Sequence, residues 1–202
     1  MTQEKYIGKI VDEQPRGIPE CVFKNPNFEG EIPGGSGLNL FCKITPTSIW
    51  IIETTQFVDD RNHCGFSASV MNGMFEYCVF TKGFRGDSKN RHPDLFAGKL
   101  ISAAFDFFAR QRTKIDVVFC RWENERPGKL PSDTYRQFLD LSGEDYPPTL
   151  ERQLGAAKLV WGVKPILEHG FTEIDEGRFA WNRTPGFEKV QVYFRRPSPV
   201  AA

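Results

Sequence analysis

Residues 74–122 read MFEYCVFTKGFRGDSKNRHPDLFAGKLISAAFDFFARQRTKIDVVFCRW, and the order of patterns inside this stretch decides the fold. Met74 to Phe84 is aromatic and apolar and reads as a strand. A basic loop follows, with Lys82, Arg85, Lys89 and Arg91 opposed only by Asp87. Then comes the clearest helical pattern in the chain. Ala97, Ile101, Ala104, Phe105 and Phe108 recur on one face, and Leu100 and Phe107 widen that stripe, so the helix packs deeply on a sheet. Asp94 after Pro93 is its N-cap candidate. Arg110 and Arg112 lie near its C-terminus, where the dipole favours cations. Ile115 to Trp122 is an apolar run broken only by Asp116 and Arg121; its sides do not alternate, which predicts a central strand buried on both faces.

Working outward toward the N-terminus, Asn72-Gly73 between apolar runs is a strong hairpin signal. Strands are expected at Leu38–Ile44, Ser48–Phe57 and Phe66–Val70, with turns at Thr45-Pro46-Thr47 and Asp59–Gly65, giving an antiparallel meander. Residues 1–37 are rich in Pro and Gly and read as an irregular arm or a lead-in with short strands.

Toward the C-terminus, residues 123–148 are polar and Pro-rich, with a short helix expected over Asp133–Leu141. Thr149 opens a second major helix on which Leu150, Leu154, Ala157 and Trp161 share a face. Pro165 kinks or restarts it, and Gly170 is placed to stop it. Phe171–Ile174 and Lys189–Arg195 read as closing strands, and the tail from Pro197 to Ala202 as frayed. The expected organisation is an arm over 1–37, one domain over 38–196 and a tail over 197–202, in the α/β (α+β) class.

Composition excludes several function classes. Lys+Arg and Asp+Glu are both 26, so the formal net charge is zero and generic nucleic-acid binding is not expected. Phe supplies 18 residues and has no polar handle, so these rings are expected in the core or along an apolar pocket. The five cysteines are odd in number and widely spaced, which reads as a reducing compartment rather than a disulfide framework. With no basic-then-apolar leader and no apolar stretch near 20 residues, the expectation is a cytoplasmic chain that does not enter the membrane.

Short motifs add little. Gly34-Gly35-Ser36-Gly37 lacks the Lys-Ser/Thr and the helix of a phosphate loop, and reads as a flexible connection. His63-Cys64 has no partners at metal-ligand spacing, so no metal is expected. Arg85-Gly86-Asp87 reads as a turn. A hydrolase pairing Cys120 or Cys78 with His92 or His169 stays open, because spacing alone does not decide it. The basic loop carries more. It follows a strand and feeds a helix N-terminus, where free N–H groups and the positive dipole end suit a phosphate or pyrophosphate; the alternative is a solvated charged loop.

The order of elements over residues 48–196, together with Ile166-Leu167-Glu168-His169-Gly170-Phe171-Thr172-Glu173-Ile174 and Leu100-Ile101 on the helix after the basic loop, resembles the GNAT-type N-acyltransferases. The resemblance implies a mixed, mostly antiparallel sheet with a central parallel strand pair, Met74–Phe84 beside Ile115–Trp122, and helices packed on both faces. It implies coenzyme A-dependent transfer of an acetyl or other acyl group to an amine on a small molecule or peptide. Lys89, Arg91, His92, Phe96, Ala97 and Gly98 are then the residues that hold acetyl-CoA or another acyl-CoA. Glu76 is the first candidate for the base that deprotonates the amine, and Glu53 the second. The chain departs from the family pattern at Leu95, where a Gly is usual, and at Ile166, where a proton-donating Tyr is common. Those departures imply the alternative, a non-enzymatic binding or interaction protein on a degenerate scaffold of this type.

Overall fold

The computed structural model describes residues 25–33, 39–53, 65–80, 97–124, 133–143, 148–184 and 187–198. They form a mixed α+β structure with nine strands: β1 (Glu29–Pro33), β2 (Asn39–Thr45), β3 (Ser48–Glu53), β4 (Gly65–Met71), β5 (Met74–Phe80), β6 (Val117–Asn124), β7 (Glu173–Ile174), β8 (Ala180–Thr184) and β9 (Phe187–Arg195). Four helices accompany them: α1 (Ala97–Arg110), α2 (Asp133–Ser142), α3 (Leu150–Leu159) and α4 (Lys164–Glu168). The hydrogen-bonded strand order is β1-β2-β3-β4-β5-β6-β9-β7, with β8 also on β9. The sheet is mostly antiparallel, with β5 and β6 as its parallel pair. By contacts the chain falls into two compact units, residues 1–70 with 77–114, and residues 71–76 with 115–202.

β2, β3 and β4 form the antiparallel meander expected from the sequence, and β1, from the segment read as an irregular arm or a lead-in with short strands, adds an antiparallel edge to β2. Thr45 and Ser48 exchange a 2.7 Å hydroxyl hydrogen bond across the β2–β3 turn. Alternation sends Leu40, Cys42 and Ile44, then Ile49 and Ile51, then Phe66, Ala68 and Val70 into the core. The α1 residues Leu100, Ile101, Ala104, Phe105, Phe107 and Phe108 are buried as its periodicity requires. Each such Phe contributes roughly 1.5–3 kcal/mol through burial. Arg112 ends the helix in the left-handed region (φ 57°), and the Thr113 hydroxyl then donates to the Pro46 carbonyl in the β2–β3 turn at 3.2 Å.

The second unit is built on β6 and β9, paired from Val117↔Arg195 to Asn124↔Glu188. Residues 71–76 join it through the Asn72-Gly73 turn, whose positive φ values of 51° and 76° Asn and Gly tolerate. The Gly73 carbonyl accepts from the Asp116 and Val117 amides at 2.8 and 3.2 Å. That contact fixes the parallel register Met74↔Val117, Phe75↔Val118 and Glu76↔Phe119. β6 is central as expected, but it does alternate. Val118, Cys120 and Trp122 are buried, while Val117 and Phe119 are half-buried and Arg121 is exposed. The expectation of burial on both faces fails because the two apolar sets differ in cover, which composition alone does not reveal.

The second major helix is also shorter than its pattern suggested. Thr149 caps α3 through a side-chain bond from the Arg152 amide, but the helix stops at Leu159. Ala156, Ala157, Val160, Val163, Pro165 and Ile166 face inward, while Leu150 and Trp161 lie exposed. Pro165 restarts the chain as α4 rather than kinking α3, and Gly170 (φ 86°) ends it. Only Glu173–Ile174 of the expected Phe171–Ile174 strand pairs. β8 was not anticipated.

Candidate functional site

On β6 and β9 the two faces have different characters. One face carries Trp122, Val190 and, from β8, Trp181, aligned by strand register. Phe138 of α2 closes over them, its ring 5.8 Å from Trp122 and 5.1 Å edge-on to Trp181. Tyr135, one turn earlier, is fully buried. Its hydroxyl donates to Glu188 Oε2 at 3.1 Å and accepts from Trp181 Nε1 at 3.3 Å. Burial raises the Tyr135 pKa; the Trp181 bond opposes the rise and Glu188 adds to it. This cluster is apolar, and its phenol is satisfied on both sides.

The opposite face holds a row set by register: Glu76 on β5, Phe119 on β6 and Tyr193 on β9. The Phe119 and Tyr193 rings lie 4.7 Å apart at 31°. The Arg178 guanidinium sits over Tyr193, 3.8 Å from the ring centroid. Arg178 is placed by a tight turn: its amide and that of Phe179 both donate to the Asp175 carbonyl at 3.0 Å. Asp175 is itself tied to β9 by its amide on the Tyr193 carbonyl (2.9 Å) and by an Arg195 ion pair (3.5 Å).

Charges on this face divide into paired and unpaired. Arg121 pairs with Glu123, and Arg195 with Asp175. Glu76 is half-buried, and among the described residues no hydrogen bond or ion pair engages its carboxylate. Arg178 is exposed, and its guanidinium stacks on the ring without a carboxylate partner among the described residues.

The residues expected to act chemically are placed as follows. Glu76 is half-buried on the last pair of the parallel ladder. Glu53 is the last residue of β3, opposite Leu40, and belongs to the first unit. Ala97 and Gly98 open α1, whose first turn has no acidic residue. Lys89, Arg91, His92 and Phe96 lie outside the described residues, as do Asp94, Leu95, Gly34–Gly37 and His63-Cys64. Cys120 is buried on the apolar face of β6, and His169 Nδ1 lies 2.8 Å from the Pro165 carbonyl, where it caps α4. No group of three or more His, Cys, Asp or Glu among the described residues is arranged to hold a metal. No helix among them is long and apolar enough to cross a membrane. Sequence reasoning missed Phe119, Tyr193 and Arg178. The period-2 set Val117, Phe119, Arg121, Glu123 was the available signal for the first.

No family model, curated protein or solved structure matches this chain. Its chemistry is therefore argued from its own residues.

Proposed function

We propose that the protein transfers an acyl group from an acyl-coenzyme A to an amine. Glu76 carries this reading: a half-buried carboxylate with no protein partner among the described residues, at the end of the three-pair parallel ladder between β5 and β6. An amine sheds a proton as its nitrogen bonds to the acyl carbon and the carbon–sulfur bond breaks. Glu76 takes that proton, directly or through one water. The bound acyl-CoA supplies the thioester. Lys89, Arg91, His92 and Phe96, with Ala97 and Gly98 at the start of α1, are the residues assigned to its pyrophosphate. The described first turn of α1, from Ala97, carries no acidic residue, which suits that anion. Glu53 is the second candidate base.

A second reading has its own observation. Ile166, at the position where the resembling family commonly places a tyrosine acid, is fully buried in the core, so that position donates no proton to a leaving sulfur. This favours a non-enzymatic binding protein on the same scaffold.

Isothermal titration with acetyl-CoA separates the two. Acyl transfer predicts saturable heat that a Lys89→Glu/Arg91→Glu variant weakens, and amine-dependent thiol release that Glu76→Gln abolishes. Absence of heat at millimolar ligand sinks the transferase reading and leaves the binding protein.

A further inference from the structure

The row on the open face of β6 and β9 has a feature that acyl transfer alone does not require. It holds a carboxylate at one end, then Phe119, and at the other end a guanidinium lying over the Tyr193 ring. Opposite charges on one protein face ordinarily pair, as Arg121 does with Glu123 and Arg195 with Asp175. Among the described residues, Glu76 and Arg178 do not. Glu76 stands on β5 and Tyr193 on β9, one strand apart on each side of β6, so their backbones are about 10 Å apart. Arg178 is held at the Tyr193 end by its turn and its stacking contact. Phe119 lies in the row between Glu76 and Tyr193, and the guanidinium covers the Tyr193 ring, so Phe119 and the Tyr193 edge form the apolar stretch between the two charges.

We infer that this row binds an amine that also carries an anionic group, the two separated by a flat or extended apolar spacer about one ring long. The ammonium lies at Glu76, the spacer along Phe119 toward the edge of Tyr193, and the carboxylate or similar anion forms a charge-assisted bond with the guanidinium that covers Tyr193. The role of such a molecule as acyl acceptor rests on the transferase reading; its binding does not. Gln191 and Lys189 share the face two and four residues from Tyr193 along β9, and Arg121 is held by Glu123. Among the groups facing the row, Arg178 is therefore the cation best placed for the anion.

The test is equilibrium binding without any acyl donor, followed by calorimetry or by Tyr and Trp fluorescence. Para-(aminomethyl)benzoate carries both charges across one ring; benzylamine and para-methylbenzoate each carry one. The expected result is saturable binding of the first, about tenfold or more tighter than either of the others, as one lost charge-assisted bond implies. Arg178→Gln erases the advantage over benzylamine while leaving benzylamine itself unchanged. Glu76→Gln erases the advantage over para-methylbenzoate. Tyr193→Leu weakens all three.

Equal affinities for the three compounds, or no binding by a protein whose circular dichroism is unaltered, overturns the inference. So does an Arg178→Gln variant that loses benzylamine and para-(aminomethyl)benzoate alike. Binding of the bipolar amine by a protein that takes no acetyl-CoA keeps this inference and removes acyl transfer. Acetyl-CoA binding without amine selectivity does the reverse.

Discussion

The two faces of β6 and β9 carry aromatic clusters, four rings on one and two on the other, that treat polar atoms in opposite ways. On the covered face, Trp122, Tyr135, Phe138 and Trp181 pack around a phenol that both donates to Glu188 and accepts from the Trp181 indole. On the open face, Phe119 separates the strand position of the Glu76 carboxylate from Tyr193, whose ring the Arg178 guanidinium covers, and the two charges do not meet. A buried polar group left unsatisfied costs more than a formed hydrogen bond returns, so the first cluster is built for stability. Charges held apart on a half-covered surface contribute little to stability and remain free to meet a ligand. The difference separates scaffold from site on the same two strands, and substitutions can test it in order of their expected effect on stability.

Phe138→Ala is the largest. It removes the ring between Trp122 and Trp181 and leaves a cavity in the covered cluster, for a cost of about 3–5 kcal/mol. Urea unfolding measures it. A loss under about 1 kcal/mol would show that α2 is not part of this core.

Tyr135→Phe follows, at about 1–3 kcal/mol, because it removes both hydrogen bonds of a buried phenol, the one to Glu188 and the one from the Trp181 N–H. It also has a pH signature. The folded phenol titrates above its ordinary value, so the folded state holds its proton more tightly than the unfolded chain. Its contribution is complete below the ordinary phenol pKa and is lost as pH rises through the folded value. Stability of the parent protein should therefore fall on that alkaline limb, and the fall should be shallower in Tyr135→Phe. Parallel curves for the two proteins would refute this account of the phenol.

Gly73→Ala links the faces to the register that aligns them. The position has φ 76°, and an added Cβ would run into the Asp116 carboxylate, so the expected cost is about 1–2 kcal/mol. Because the Gly73 carbonyl holds the Asp116 and Val117 amides, a shift there moves Glu76 relative to Phe119. Binding on the open face should weaken by more than the loss of stability explains, measured at a temperature where the variant is fully folded. Unchanged binding would mean that the ladder holds its register without the turn.

Local signals made much of this structure legible. Asn72-Gly73 announced the hairpin because few residues tolerate two positive φ values in sequence. The stripe on α1 announced its buried face because seven apolar residues fit one period, and six of them are buried; the seventh, Ala97, has no described side chain. Other features depended on tertiary cover. Leu150 and Trp161 fit a helical stripe, yet the chain breaks after Leu159, and the small residues Ala156 and Ala157 approach the core instead. β8 pairs with β9; in the sequence, Pro185-Gly186 is a turn signal, obscured by the polar run Trp181-Asn182-Arg183-Thr184 beside it. The site was half legible. Glu76 could be named as a strand carboxylate, but Phe119 and Tyr193 are distant in sequence and meet only through strand pairing. Arg178 comes from an irregular turn with no periodicity to mark it.

Glu76→Gln should change stability least and function most. The substitution keeps the shape of the side chain and removes a charge that no described residue compensates, so unfolding should move by no more than about 0.5 kcal/mol. The same change removes the proposed base, and amine-dependent thiol release should fall by roughly 10²–10⁴-fold. Arg178→Gln should be equally silent in unfolding, and it should raise the KM for an anion-bearing amine while leaving kcat near its parent value, because it acts on binding rather than on the proton. That split distinguishes the ends of the row: one end moves a proton, the other positions the molecule that loses it. If both variants lowered kcat alike at saturating amine, the row would be acting as a single structural unit, and the contrast between the two faces would lose its functional half.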